Sequence, residues 1–200
     1  MLSILDLFRV GIGPSSSHTV GPIRIANRFM ANLAGATGTP ARIEVELQGS
    51  LALTGAGHAT PKAVMLGLLG FEPETLDPDA ADRDVAALEA SRTLPLAGGA
   101  SIPFDPAKDI VFAYDVLPAL HPNGMRMRAF DADGAILADE TWYSTGGGFI
   151  ATERKLQRPV EDDLLPVGPS VPHPFGSAAD LLAICAEAGA GIADIILTNE

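Results

Sequence analysis

Four histidines carry most of the chemical potential of this 200-residue chain, and each lies in a short segment of small, hydroxylated or proline residues. His18 sits in "SSSHT", His58 in "GAGHAT", His121 in "LHPNG" and His173 in "VPHPF". Imidazole trades protons near neutral pH, so each ring is a candidate general acid or base. The first three lie in Gly- or Ser-rich loops at the edges of expected elements, where distant parts of a chain can converge over a sheet. A plainer reading competes at each position, because a loop histidine beside Ser or Thr also serves as a solvated turn residue or a cap partner. His173, between two prolines, reads as spacing in a linker.

The stretch "GIGPSSSHTVGP", residues 11–22, leads into an expected helix, whose free N–H groups and dipole favour an anion. Ser15, Ser16 and Ser17 add hydroxyl donors. No Lys follows and the G-x-x-x-x-G-K-[ST] pattern is missing, so a carboxylate suits the loop better than a phosphate. "YSTGGGF", with Tyr143, Ser144 and Thr145 before three glycines, is a second place where backbone can approach a ligand closely. A bulged strand end explains it equally well. Gly13-x-Ser15 lacks the second glycine of a nucleophile elbow. No H-E-x-x-H, CxxC or strand-linked GxGxxG occurs, which leaves zinc, iron–sulfur ligation and dinucleotide binding without support in this chain. Cys185, the single cysteine, falls on an expected apolar helix face and reads as a core residue.

The elements that must position these groups follow from periodicity. "LSILDLFRVGIG" predicts a short helix through Ile4, Leu5 and Phe8, ended by Gly11. "GPIRIANRFMANLAG" predicts a second, with Pro22 in its first turn, a stripe of Ile23, Ala26, Met30 and Leu33, and Gly35 as its stop. "RIEVELQG" alternates Ile43, Val45 and Leu47 against Arg42, Glu44, Glu46 and Gln48, the pattern of a half-buried strand. "GAGHATPKAVMLGLLG" reads as a Gly-rich loop and helix with Thr60 as N-cap, Pro61 next and Gly70 as stop. An acidic connection and a short helix precede the strand "DIVFAYD". "GMRMRAF" and "AILADETWYS" around the "DADG" turn predict a hairpin. Helices mixed with hairpin strands indicate an α+β fold, with a mixed or antiparallel sheet and helices packed on it. The expected domains are 1–158, a Pro-rich acidic linker over 159–176, and a further segment over 177–200 that starts with Ser177 as N-cap. The uncovered apolar run Ile192–Leu197 suits the start of a second domain.

Composition bounds the partners. Hydrophobic residues make up 47% and charged residues 19%, an ordinary globular composition. The formal net charge of −12 argues against nucleic acid and against an anionic membrane surface as partners. One cysteine suits a reducing compartment and the N-terminus lacks a basic leading region, so the expected address is cytoplasmic.

Taken together, "GIGPSSSHTVGP", "GHATPKAVMLGLLG", "LHPNGM", "YSTGGGFI" and "FGSAADLLAICAE" closely resemble segments of the iron–sulfur L-serine dehydratases (L-serine ammonia-lyases), in the same order. The resemblance covers essentially the whole chain and implies the β domain of the single-chain bacterial type, similar in fold to the substrate-binding intervening domain of some phosphoglycerate dehydrogenases. It implies L-serine as substrate and pyruvate and ammonia as products. It also implies a 4Fe–4S cluster acting as Lewis acid on the serine hydroxyl, and a catalytic α domain of the same chain holding that cluster. The ligands are then expected beyond Glu200, with no metal ligand in these residues, and a homodimer is expected. The resemblance makes His58 the first candidate for the base that removes the α proton and His18 the second active-site histidine, the choice between them staying open. Ser15, Ser16, Ser17, Thr60, His121, Asn123, Ser144 and Thr145 are the expected donors around the substrate. A regulatory amino-acid-binding domain without catalytic groups is the alternative.

Overall fold

A computed structural model describes residues 11–35, 37–157 and 171–200. The expected N-terminal helix through Ile4, Leu5 and Phe8, and the linker as far as residue 170, lie outside them. Among the described residues, 11–157 form one compact unit and 171–200 belong to another.

In the larger unit a π-helical turn, Ser16–Val20, runs straight into α1 (Gly21–Ala34). Next come β1 (Arg42–Gly49), α2 (Ser50–Thr54), a 3-10 turn (Gly55–His58) and α3 (Thr60–Leu68). α4 (Pro78–Ser91) then leads to a small antiparallel pair, β2 (Thr93–Pro95) and β3 (Ser101–Pro103). The chain continues through α5 (Pro106–Asp109), β4 (Ile110–Ala113), β5 (Asn123–Phe130), β6 (Ile136–Gly146), β7 (Phe149–Thr152) and α6 (Glu153–Leu156). The main sheet has the order β4-β1-β5-β6-β7. Its β1–β4 pair is parallel and its other pairs are antiparallel, so the fold is α+β with a mixed sheet, as the sequence indicates.

The alternation in β1 is realised on two chemically opposite faces. Ile43, Val45 and Leu47 are fully buried opposite Ala129, Met127 and Met125 of β5, which are fully buried as well. On the other face Arg128 pairs with Glu44, and Arg126 meets Asp139 at 2.7 Å. The apolar face is covered by α1 and α3 in one continuous core with Ile23, Ile25 and Phe29. Each large side chain sealed there contributes about 1.5–3 kcal/mol. The buried stripe of α1 is therefore wider than the one expected, since it takes in Ile25 and Phe29 while Met30 is only half-buried.

The contact between α1 and α3 depends on Gly67. A Cβ there would lie 2.4 Å from the Ile23 carbonyl oxygen and 2.6 Å from Ala26 Cβ. The two helices thus touch backbone to backbone near the C-terminal end of α3, and across the turns at their N-terminal ends Thr19 and Thr60 hydrogen-bond to the His58 and His18 carbonyls. Those turns carry His18 and His58. Differences from the sequence expectation are local: α4 is 14 residues long rather than short, while α2 and the β2–β3 pair were not foreseen.

In the smaller unit Ser177 Oγ accepts the Asp180 N–H at 3.2 Å and caps α7 (Ala178–Ala188), as expected. Gly189 ends that helix at φ +61°, and α8 (Ile192–Asn199) follows at 98° to it. The Asn199 amide holds the His173 backbone at both ends, accepting its N–H at 2.9 Å and donating to its carbonyl at 2.8 Å. His173 is thus anchored through its main chain. No residue of α7 is buried, so the expectation that Cys185 is a core residue is corrected: it is half-buried. Leu182, Ile192 and Leu197 stand exposed. No single helix among the described residues is long and apolar enough to cross a membrane.

Candidate active site

The two histidines ahead of α1 and α3 meet. Their ring centroids lie 4.8 Å apart with planes inclined at 39°. His18 is buried at 9% exposure, while His58 is half-buried and reachable from solvent.

The serine loop builds the turn that holds His18. Ser15 Oγ accepts the His18 N–H at 3.2 Å, and the Ser15 carbonyl accepts the Thr19 and Val20 N–H groups at 3.0 and 3.2 Å. Because the Gly21 N–H goes to the Ser16 carbonyl, the amides at the entrance to α1 are already committed. The π-helical turn thus carries the helix entrance back to Ser16, with Ser15 as its N-cap, one turn before the expected start of α1. Ser17 Oγ lies 2.9 Å from His18 Nδ1, and Ser15 Oγ lies 3.4 Å from Ser17 Oγ. On the far side of the ring, His18 Nε2 meets Ser50 Oγ at 3.1 Å and Thr54 Oγ1 at 3.0 Å.

His58 is held from α2. Its Nδ1 lies 2.9 Å from the Thr54 carbonyl oxygen, which can only accept, so the neutral ring carries its proton on Nδ1 and a lone pair on Nε2. Its own carbonyl accepts the Thr19 hydroxyl at 3.1 Å. The next residue, Ala59, is left-handed at φ +54° and turns the chain into α3.

Burial lowers the pKa of His18 first, and the neighbouring His58 lowers it further, with a hydrogen bond to the Ser50 backbone opposing both. His18 is accordingly neutral at pH 7. Burial also lowers His121.

The expected donors divide sharply. Ser15 and Ser17 join the histidine pair, while Ser16 is exposed and lines a small cleft of about 180 Å³ with Gly13, Pro14, Gly147 and Gly148. Thr60 is not the N-cap that the sequence suggests. Ala59 takes the N-cap position, and the fully buried Thr60 Oγ1 donates to the His18 carbonyl at 2.7 Å, so its proton stays within the protein. Ser144 is fully buried beneath the start of α1, where a Cβ on Gly21 would fall 2.0 Å from its Oγ. Asn123, 9% exposed, donates to the Ser144 carbonyl at 3.0 Å. Thr145 is exposed near the end of β6. His121 Nδ1 accepts the Asn123 N–H at 3.2 Å, and its ring touches neither His18 nor His58. It lines a separate cleft of about 370 Å³ with Ser50, Leu53, Thr54, Leu117 and Leu120. The sequence reading passed over Ser50 and Thr54. The segment "SLALT" is too short to show a helical period, and its only signal is a pair of hydroxyls spaced i, i+4, on one helix face.

Among the described residues no three His, Cys, Asp or Glu side chains gather closely enough to hold a metal ion.

Residues 3–155 match the family described as serine dehydratase beta chain. The chain is 41% identical to an L-serine dehydratase of Streptomyces coelicolor, over 100% of its own length and 44% of that protein. It is 40% identical to an L-serine dehydratase of Helicobacter pylori strain J99, over 99% of its length and 43% of the relative. With L-serine dehydratase 1 of Escherichia coli it shares 39% identity over 100% of its length and 43% of that protein. The chain thus spans less than half the length of these curated relatives.

Proposed function

The chain belongs to the serine dehydratase beta chain family, and from that membership we propose that it is the β domain of an L-serine ammonia-lyase, supplying the proton-transfer half of a composite active site. The observation that carries this reading is the half-buried His58, whose Nδ1 faces the Thr54 carbonyl so that Nε2 is free to take a proton. In the proposed reaction L-serine loses its α proton to His58 Nε2, and the C–H electron pair forms the C=C bond of 2-aminoacrylate. The β-hydroxyl leaves with the C–O pair and takes up one proton, so that one water is released overall. That enamine tautomerises to an imine, and water converts it to pyruvate and ammonia. His18, neutral and hydrogen-bonded at both ring nitrogens, fixes the geometry beside the base.

The family chemistry implies a 4Fe–4S cluster, and this chain's donors do not fit one. Its single cysteine is half-buried on α7, and the described residues contain no metal-holding group. In this reading the cluster belongs to a catalytic α domain in the part of the longer relatives that this chain does not span, with residues 177–200 as the first segment of that domain. A homodimer and a cytoplasmic address complete the proposal.

A non-catalytic regulatory module that binds an amino acid is the competing reading, favoured by the cleft beside His121, which includes neither paired ring. Calorimetry of the 200-residue chain with L-serine, together with an anaerobic deamination assay supplemented with iron and sulfide, separates them. A composite site gives weak or no binding and no turnover; tight serine binding supports the regulatory module. Turnover by this chain alone would contradict a cluster held elsewhere.

A further inference from the structure

We propose that Thr54 is a positioning residue that sets the two imidazoles in opposite tautomers, His58 protonated on Nδ1 and His18 on Nε2. The consequence drawn for catalysis rests on His58 being the base; the tautomer assignment itself does not.

The carbonyl of Thr54 settles His58, because it can only accept a proton from Nδ1. The hydroxyl of the same residue settles His18. Thr54 Oγ1 lies 2.9 Å from the Ser50 carbonyl and 3.0 Å from His18 Nε2. It has one proton, and the Ser50 carbonyl has none to offer, so that proton goes to the carbonyl and a lone pair of Oγ1 faces Nε2. His18 then carries its proton on Nε2 and donates it between Thr54 Oγ1 and Ser50 Oγ. On the other side Nδ1 accepts from the Ser17 hydroxyl at 2.9 Å. Every contact around the ring is served in this arrangement.

The opposite tautomer fails on the same distances. With the proton on Nδ1, Ser50 can donate into the one Nε2 lone pair, but Thr54, its proton on the Ser50 carbonyl, then sets an Oγ1 lone pair against Nε2 at 3.0 Å. Through one residue the short helix α2 therefore leaves one imidazole open at Nε2 and closes the other. The structure thereby points to His58, and not His18, as the ring able to accept a proton from a ligand.

The test is nitrogen-15 NMR of the 200-residue chain with labelled histidine, at a pH high enough that both rings are neutral. The expected spectrum has His58 unprotonated at Nε2 and His18 unprotonated at Nδ1. Thr54→Val keeps the carbonyl and removes the hydroxyl, which takes away the Oγ1 lone pair that holds the proton on His18 Nε2 and leaves the Ser50 hydroxyl able to donate there. His18 is expected to move to the Nδ1-protonated form in that variant while His58 stays unchanged, and Thr54→Ser restores the native pattern. A His18 tautomer unmoved by Thr54→Val, or a wild-type spectrum with both rings in the same tautomer, overturns the proposal. If Thr54→Val does not fold, the wild-type and Thr54→Ser spectra still decide it. The spectra need no turnover. A correct tautomer pattern in a complete enzyme that tolerates loss of His58 would sink the base assignment and leave the positioning role standing.

Discussion

Gly67→Ala tests the packing of α1 on α3. The added Cβ would sit 2.4 Å from the Ile23 carbonyl oxygen and 2.6 Å from Ala26 Cβ, against ordinary contacts of 3.4–4 Å. Relief requires α1 and α3 to separate by about 1 Å, because the first obstacle is backbone and cannot rotate away. Overpacking against backbone that cannot yield falls in the upper part of the usual range, at about 2–3 kcal/mol. The better helix propensity of Ala returns close to 1 kcal/mol. The net expectation is destabilisation of about 1–2 kcal/mol, a fall in Tm of roughly 2–8 °C for a chain of this size. Thermal and urea unfolding followed by circular dichroism measure it, with Gly35→Ala as control, since its nearest contact would be an ordinary 3.6 Å. The control should stay within about 0.5 kcal/mol of wild type. A Gly67→Ala chain as stable as wild type would refute the claim that these helices touch backbone to backbone at Gly67.

Thr60→Val removes the hydroxyl that donates to the His18 carbonyl at zero exposure, and should cost about 1–2 kcal/mol in urea unfolding, with Thr60→Ser recovering most of it. An unchanged midpoint for Thr60→Val would contradict the buried bond. The pH dependence of stability follows from His18, whose pKa is lowered by burial and then by His58 from the usual 6.5. The unfolded chain binds the extra proton first as the pH falls, so this contribution is complete above about pH 6.5 and is lost progressively towards the lowered folded value. His18→Gln should flatten that part of the profile, and an identical slope in the variant would show that the ring does not carry it.

The fold was legible where a period was long enough to read. β1 shows three full alternations and α1 shows a stop glycine and an apolar stripe, so both were identified with the right boundaries. α2 was not, because five residues do not complete two helical turns and Gly49 before them marks only the end of a strand. The histidines were visible as candidates from residue type and loop context. Their meeting was not, since it comes from the packing of α1 on α3 and from bonds between turns 39 positions apart at Thr19 and His58. Hydroxyl residues misled for a related reason: type and loop context do not say whether Thr60 or Ser144 faces a ligand or lies buried against a neighbouring backbone. Thr60 reaches 42 residues back to His18, a pairing that only the packing reveals.

The central claim is that His58 takes a proton from L-serine. The direct measurement is steady-state serine turnover by the complete enzyme containing this chain, wild type against His58→Ala, with cluster content matched by absorbance. Loss of a positioned general base lowers kcat by about 10²–10⁴-fold, and that is the expected result. A His58→Ala enzyme with near-normal kcat would contradict the account.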